Sequence, residues 1–355
     1  MLVTSLALSH FRSYVKTTHS FHPQLTLITG PNTAGKTNIL EALYLIATGK
    51  SFRAERDGDM ITWGNNIGRA KLVSGDDSLE VLLTHGDVDG NKTQMKKYKV
   101  NGVPRRLLDF LGHFRAVLFW PEDLTIVTDS PSKRRRYLDS ILVQTDREYR
   151  RNLLSYERGL RQRNKLLDLI CEGSATRSQL LFWNQLLIKT GGYITDTRSG
   201  YLDFLNAVDS TSYTYRSVYD KSVISESRLL EYKDAEIGAR VTLVGPHRDD
   251  FAIEIQSSGV DGFRDVGSFG SRGQQRLAVL WLKQAEVLYM TRQAQNRPVL
   301  LLDDIFSELD GGHRREVMSL LKVGQTILTS AEEEAMDFLA TRGRETFSTI
   351  RLGIE

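Results

Sequence analysis

Two short motifs near opposite ends of this 355-residue chain constrain its fold more than anything between them. Gly30-Pro31-Asn32-Thr33-Ala34-Gly35-Lys36-Thr37 fits the phosphate-loop pattern, a glycine-rich turn whose backbone N–H groups point at phosphate oxygens. Val299-Leu300-Leu301-Leu302 is an apolar run too short for a helix, and it ends in Asp303-Asp304. A buried parallel strand delivers carboxylates in this way to the C-terminal edge of a sheet, where α/β ligands bind. A phosphate loop works with such an acid beside it, so the two ends of the chain are expected to fold into one nucleotide site. The fold class is therefore α/β, a head built from residues 1–121 and 236–355 around an inserted helical lobe at 122–235.

The residue types define the chemistry. Gly30 and Gly35 let the backbone turn, and Pro31, Asn32, Thr33 and Ala34 complete the cradle. Lys36 is expected to reach the β- and γ-phosphates of ATP, and the Thr37 hydroxyl to ligand Mg2+. Thr33 stands where many such loops have glycine, which the minimal pattern does not require. Asp303 is the candidate metal-site acid and Asp304 the candidate for orienting or deprotonating the attacking water; the plainer alternative is two acids capping the next turn. Ser271-Arg272-Gly273-Gln274-Gln275-Arg276 precedes the helical run Leu277 to Leu282 and prepares a second helix N-terminus for an anion. An N-cap serine is the common alternative there.

The rest of the chain divides by pattern. Leu2 to Phe11 alternates apolar and polar residues as a half-buried strand does, and Leu25 to Thr29 is a short apolar strand entering the loop. Asn38 to Leu45 reads as a helix, Arg69 to Val103 as successive short strands, and Arg115 to Trp120 as a strand stopped by Pro121. From Ser132 to about Asn206 leucines, tyrosines and arginines recur at helical spacing. Val241 to Val244 and Phe251 to Ile255 suggest a hairpin around Gly245-Pro246-His247-Arg248-Asp249-Asp250, with an internal Arg248–carboxylate pair.

Charge is uneven. The net +3 conceals +6 between Asn91 and Arg106 and +7 between Pro131 and Lys165, which leaves −10 elsewhere. Concentrated positive charge is the pattern of contact with a phosphate backbone, the alternative being two solvated or protein-binding surfaces. The single Cys171 excludes an intrachain disulfide, and no run approaches the ~20 apolar residues of a membrane span. With no secretory pattern at the N-terminus, a cytoplasmic location is expected.

With these motifs in place, the sequence resembles the ABC-type ATPases of DNA repair and chromosome maintenance, and within them the RecF family of bacterial recombination mediators. The resemblance runs through Phe11-Arg12-Ser13-Tyr14, Trp120 to Leu124, Ser130 to Asp139, Gly245 to Asp250, Ser271 to Arg276 and Leu302 to Asp310. It implies an ABC-type head that binds ATP, with Arg12 and Gln274 added to the nucleotide-contacting residues, and an ATP-dependent homodimer. In that dimer Ser271 and Gly273 of one copy would meet the γ-phosphate held by Lys36 of the other, and Ser307 to Asp310 would cross the interface. It further implies binding of double-stranded DNA and junctions with single strands, work with RecR and RecO, and indirectly assistance to RecA. Asp304 stands where the wider family has glutamate, and Thr329-Ser330 where it has histidine, which implies slow hydrolysis coupled to dimer dissociation. Lys92 to Arg106 and Lys133 to Arg163 would face the duplex. Rival readings are a transporter's nucleotide-binding subunit and a DNA scaffold that keeps ATP without significant hydrolysis.

Overall fold

The computed structural model describes residues 2–88, 90–210, 213–256, 262–305, 324–330 and 347–353. Two compact units emerge, one formed by 1–123 together with 286–355 and the other by 124–285. The second unit thus runs about fifty residues beyond the lobe boundary expected at 235.

The first unit holds two main sheets. β1 (Val3–Phe11) and β2 (Tyr14–Ser20) begin the chain, and β3 (Leu25–Thr29) leads into the phosphate loop and α1 (Lys36–Thr48). β4 (Ile67–Ser74) and β5 (Asp77–Thr84) follow, then the small hairpin β6 (Asp87–Val88) and β7 (Asn91–Lys92), then β8 (Lys96–Val100) and β9 (Val103–Arg105). Strands β2-β1-β4-β5-β8-β9 form one antiparallel sheet whose alternating burial marks a sheet with one solvated face. After the short α2 (Leu107–Phe110), β10 (Ala116–Phe119) enters a second sheet with β14 (Val299–Asp303), β15 (Thr326–Ser330) and β16 (Phe347–Arg351).

That second sheet carries the site. Its order is β10-β14-β15-β3-β16 and every pair is parallel. β3, from the start of the chain, lies between two strands from its end. All five residues of β14 and of β15 are buried, which is why β14 reads as an apolar run, Val299 to Leu302, rather than an alternation. The buried Gln325 amide adds a second tie between the ends: it accepts from Val3 N at 2.7 Å and donates to the Val3 and His22 carbonyls.

The second unit is mostly helical. α3 (Leu124–Thr128), α4 (Pro131–Thr145), α5 (Arg147–Cys171) and α6 (Leu181–Asn206) cover the span whose helical spacing was legible. Asp146 caps α5, its carboxylate accepting from Glu148 N and Tyr149 N. Gly159 permits close approach of α5 to α6, since a Cβ there would stand 3.1 Å from Leu186. β11 (Thr214–Asp220), α7 (Glu226–Glu231) and α8 (Lys233–Ala239) precede β12 (Asp250–Gln256) and β13 (Arg264–Asp265), and β11-β12-β13 form a small sheet. α9 (Val266–Phe269) and the start of α10 (Arg272–Ala294) complete this unit.

The hairpin expected around Gly245 to Asp250 does not form. Val241 to Val244 is irregular, and β12 pairs with β11 instead. Side chains take the donors that a ladder would use: the half-buried Asn164 Oδ1 accepts from Thr242 N and the buried Glu236 Oε1 from Leu243 N, both at 2.9 Å. Apolar alternation cannot reveal such substitutes for backbone pairing.

Candidate nucleotide site

β3 ends at Thr29, and the chain turns through Gly30 at φ 151° and Gly35 at φ 95° before α1 begins at Lys36. At both positions space as well as conformation requires glycine: a Cβ on Gly30 would sit 2.5 Å from the Leu352 carbonyl oxygen and one on Gly35 2.9 Å from the Tyr14 hydroxyl. Thr33 also lies in the left-handed region, at φ 78°, where a β-branched residue is strained. Pro31, Asn32 and Thr33 are exposed, with Ala34 half-buried. The Lys36 ammonium folds back over the loop, donating to the Gly30 and Pro31 carbonyls at 2.7 and 3.0 Å.

The parallel register carries the two distant motifs to one sheet edge. Asp303 pairs in register with Thr329, and Ser330 with Thr29 just before the loop. The Asp303 carboxylate accepts from the Thr37 hydroxyl at 3.0 Å and from the Thr329 hydroxyl at 2.7 Å, both on Oδ1. Burial pushes the Asp303 carboxyl above the usual carboxylate range, while the hydrogen bonds from Thr329 and Thr37 oppose that rise. Asp304 sits next along at φ 46°, a left-handed conformation that aspartate tolerates, and its N–H donates to Thr329 Oγ1.

A second cluster flanks the loop. Glu41 of α1 is completely buried and accepts bidentately from Arg12 at 2.6 and 2.8 Å, from Arg53, and from the Ser51 hydroxyl. Burial alone would raise its carboxyl, but the donors Arg12, Arg53 and Ser51 outweigh it and hold the group below the usual range. Arg53 also donates to Asn38 Oδ1, one residue beyond Thr37, and its charge acts on Asp303. Arg12 was legible as a candidate, whereas Glu41 and Arg53 were not. Thr329 was legible as standing where the wider family has histidine, but not as a partner of Asp303.

The later signature begins α10 with a reciprocal cap. Ser271 Oγ accepts from Gln274 N at 3.3 Å, and Gln274 Oε1 accepts from Ser271 N at 2.9 Å. The Gln274 side chain is thereby engaged within its own turn. Ser271 and Arg272 are exposed, and a Cβ on Gly273 would meet nothing nearer than Ser271 Oγ at 3.9 Å. Ser307 to Asp310 lie outside the described residues.

In the second unit the arginine-rich stretch separates into two populations. Arg134 forks onto the Asp250 carboxylate at 2.6 and 2.9 Å, and Arg135 donates to the Asp249 carbonyl. Arg163 is 2% exposed and donates to Glu236 at 2.6 Å, Asn184 and Thr242, while Arg198 bridges Asp139, Tyr149, Pro246 and Asp249. These side chains knit the lobe from within, so the cations of Lys133 to Arg163 divide between internal partners and exposed positions. The Gly245 to Asp250 segment gains a role in this network. Its carboxylates pair with Arg134 and Arg198, and among the described residues Arg248 donates to the Thr242 carbonyl at 3.4 Å rather than to a carboxylate. His247 sits between Tyr156 OH and the Thr242 carbonyl, and burial lowers its pKa to about 4.

A parallel sheet with a phosphate loop after one strand and an acid pair after the next strand but one, closed by strands from both chain ends, is the head of an ABC-type ATPase. Residues 2–345 match the family described as the RecF/RecN/SMC N terminal domain. The "DNA replication and repair protein RecF" of Moorella thermoacetica is 37% identical over 343 residues, covering 92% of this chain and 89% of its own. That of Lachnoclostridium phytofermentans is 35% identical, covering 93% and 92%. The solved "recombination mediator protein RecF-ATP in RecFOR pathway" superposes with a TM-score of 0.83 at 30% identity, covering 93% and 92%. An Smc head from Pyrococcus furiosus, at 17% identity and a TM-score of 0.51, shares the fold. The chain belongs to the RecF family. Among the described residues no helix is long and apolar enough to cross a membrane.

Proposed function

We propose that this chain is an ATP-dependent DNA-binding switch with weak ATPase activity, acting in DNA replication and recombinational repair at single-strand gaps. One observation carries the reading: the Thr37 hydroxyl and the Asp303 carboxylate, 266 residues apart, meet at 3.0 Å beside the phosphate loop. Those hard oxygen donors fit Mg2+, which would supply charge neutralisation at the triphosphate when bound. Asp303 is at present satisfied by two hydroxyl donors, an arrangement that a cation would replace. Lys36, held on two loop carbonyls, would transfer its hydrogen bonds to phosphate oxygens. Gly30 to Thr37 cradle the nucleotide, and Asp304 orients the attacking water.

Arg12 contacts the phosphates only if it loosens its fork on Glu41. Ser271 and Gly273, open at the start of α10, would complete the site of a second copy in an ATP-dependent homodimer, with Gln274 supporting them through the cap. Slow turnover follows from the short reach of Asp304 and from a threonine, Thr329, on the neighbouring strand, so hydrolysis would time dimer dissociation. The naming of the RecFOR pathway for a similar solved structure supports a role beside RecO and RecR, which in this reading indirectly assists RecA in the cytoplasm.

Nucleotide, dimer and DNA binding test the reading together. Lys36→Ala is expected to abolish ATP binding. Ser271→Arg should leave ATP binding intact but remove ATP-induced dimerisation in light scattering. Wild-type protein should prefer gapped over intact duplex when ATP is present. Single-turnover assays that show no Asp304-dependent phosphate release would instead identify a scaffold that retains ATP.

A further inference from the structure

The exposed cations of α5 form one continuous stripe. Arg147, Arg151, Arg158, Arg161 and Lys165 are all exposed. At about 100° per residue they fall within roughly 40° of a common line, and at about 1.5 Å per residue they extend for about 27 Å. The helix's three acids, Glu148, Glu157 and Asp168, lie outside that arc. Glu148 approaches Arg151 only at 3.7 Å, and Asp168 is engaged by Arg240 at 2.7 Å. The opposite face of α5 carries the buried Leu153, Tyr156, Arg163 and Leu167.

We infer that this stripe is a docking surface for the phosphate backbone of a duplex nucleic acid. The inference rests on the DNA-binding reading above and names the surface that would serve it. Charge and composition favour this occupant over a protein. Protein interfaces deplete charge at their centres and are anchored by buried aromatic or aliphatic side chains. The one apolar residue within the stripe, Leu154, is half-buried and offers no such anchor. A duplex carries one charge per about 1.7 Å of axis, so a 27 Å stripe faces on the order of fifteen phosphate charges. The exposed cations would contact some of these without reading bases, which gives binding that ignores sequence and weakens with salt.

The contrast with the inward arginines makes the inference specific. Arg134, Arg135 and Arg163 are committed to carboxylates and carbonyls, so replacing them would damage the lobe. Arg158, Arg161 and Lys165 contribute charge without internal hydrogen bonds or ion pairs to described residues.

The triple variant Arg158→Gln, Arg161→Gln, Lys165→Gln in the full chain tests the proposal, with Lys189→Gln on α6 as the control. With ATP present, duplex affinity at low salt should fall roughly tenfold or more. The slope of log affinity against log salt should become shallower by about one per contacting residue removed. Melting temperature and ATP affinity should match the wild type. An unchanged salt slope overturns the proposal, as does an equal loss in the Lys189 control. Loss of a protein partner with DNA binding intact would assign the stripe to an acidic protein surface and overturn it too. Absence of duplex binding by the wild type would overturn the DNA reading itself, a result distinct from failure of the stripe alone.

Discussion

Arginine does opposite work in the two units. At the phosphate loop, Arg12 and Arg53 share one buried carboxylate, Glu41, while their side chains stay 20% and 32% exposed. In the lobe, Arg163 meets Glu236 with both side chains at or below 2% exposure and donates further hydrogen bonds to Asn184 and Thr242. Two cations on one anion at a half-open rim leave positive charge for a ligand. One cation on one anion, fully enclosed, leaves none. The ratio of partners and the residual exposure separate a binding cluster from a structural one, even though the residue types are the same.

The largest expected effect breaks the enclosed pair. Arg163→Ala should cost about 3–5 kcal/mol in urea unfolding, because Glu236 would remain buried and uncompensated. A loss below about 1 kcal/mol would mean that water reaches the pair and the contrast is false. His247 gives a pH test of the same network. Its pKa of about 4 in the fold lies below the unfolded value near 6.5, so the unfolded chain binds more protons between them. Stability should fall as pH drops from about 6.5 to about 4, by up to about 3 kcal/mol in total, and His247→Gln should flatten that dependence. An equal pH slope in the variant would place the titration elsewhere.

At the rim the expected changes are smaller. Glu41→Gln should cost about 1–3 kcal/mol in stability through weakened hydrogen bonds to the arginines. Freed positive charge should at the same time maintain or increase ATP affinity at low salt, measured by calorimetry. A large loss of ATP affinity would show that Glu41 positions the arginines rather than restraining them. Thr33→Gly should relieve left-handed strain and stabilise the head by about 1 kcal/mol or less, because glycine also gains freedom in the unfolded chain. Destabilisation would mean that the threonine side chain makes a compensating contact.

Much of the head was legible because its determinants are local. The glycines at 30 and 35, the helix after Lys36 and the apolar strand before Asp303 each announce themselves within a few residues. That the strand before Asp303 lies parallel in the same sheet followed from the need for an acid near the loop. Side chains that act across long separations left no such trace. Thr329 matters because the register sets it opposite Asp303, and Arg53 because a loop returns it to α1. The +7 between Pro131 and Lys165 suggested a single basic face, yet burial divides it, and charge counting cannot distinguish an arginine that faces Asp250 from one that faces solvent. The segment at Val241 misled for a related reason, since its backbone partners are side chains.

The position of β3 between β15 and β16 also sets an order in time. A ribosome has released Leu25 to Thr29 long before Phe347 to Arg351 exist, and Thr26 must wait for a residue 322 positions later. At about 5–20 residues per second, that delay is on the order of 15–60 s. Throughout it the phosphate loop lacks one flanking strand, and until β14 emerges it lacks the acid as well. A chain cut short anywhere before its last strands therefore carries the loop sequence without the site. Prematurely ended copies would be unable to form the nucleotide-bound state and compete with finished ones.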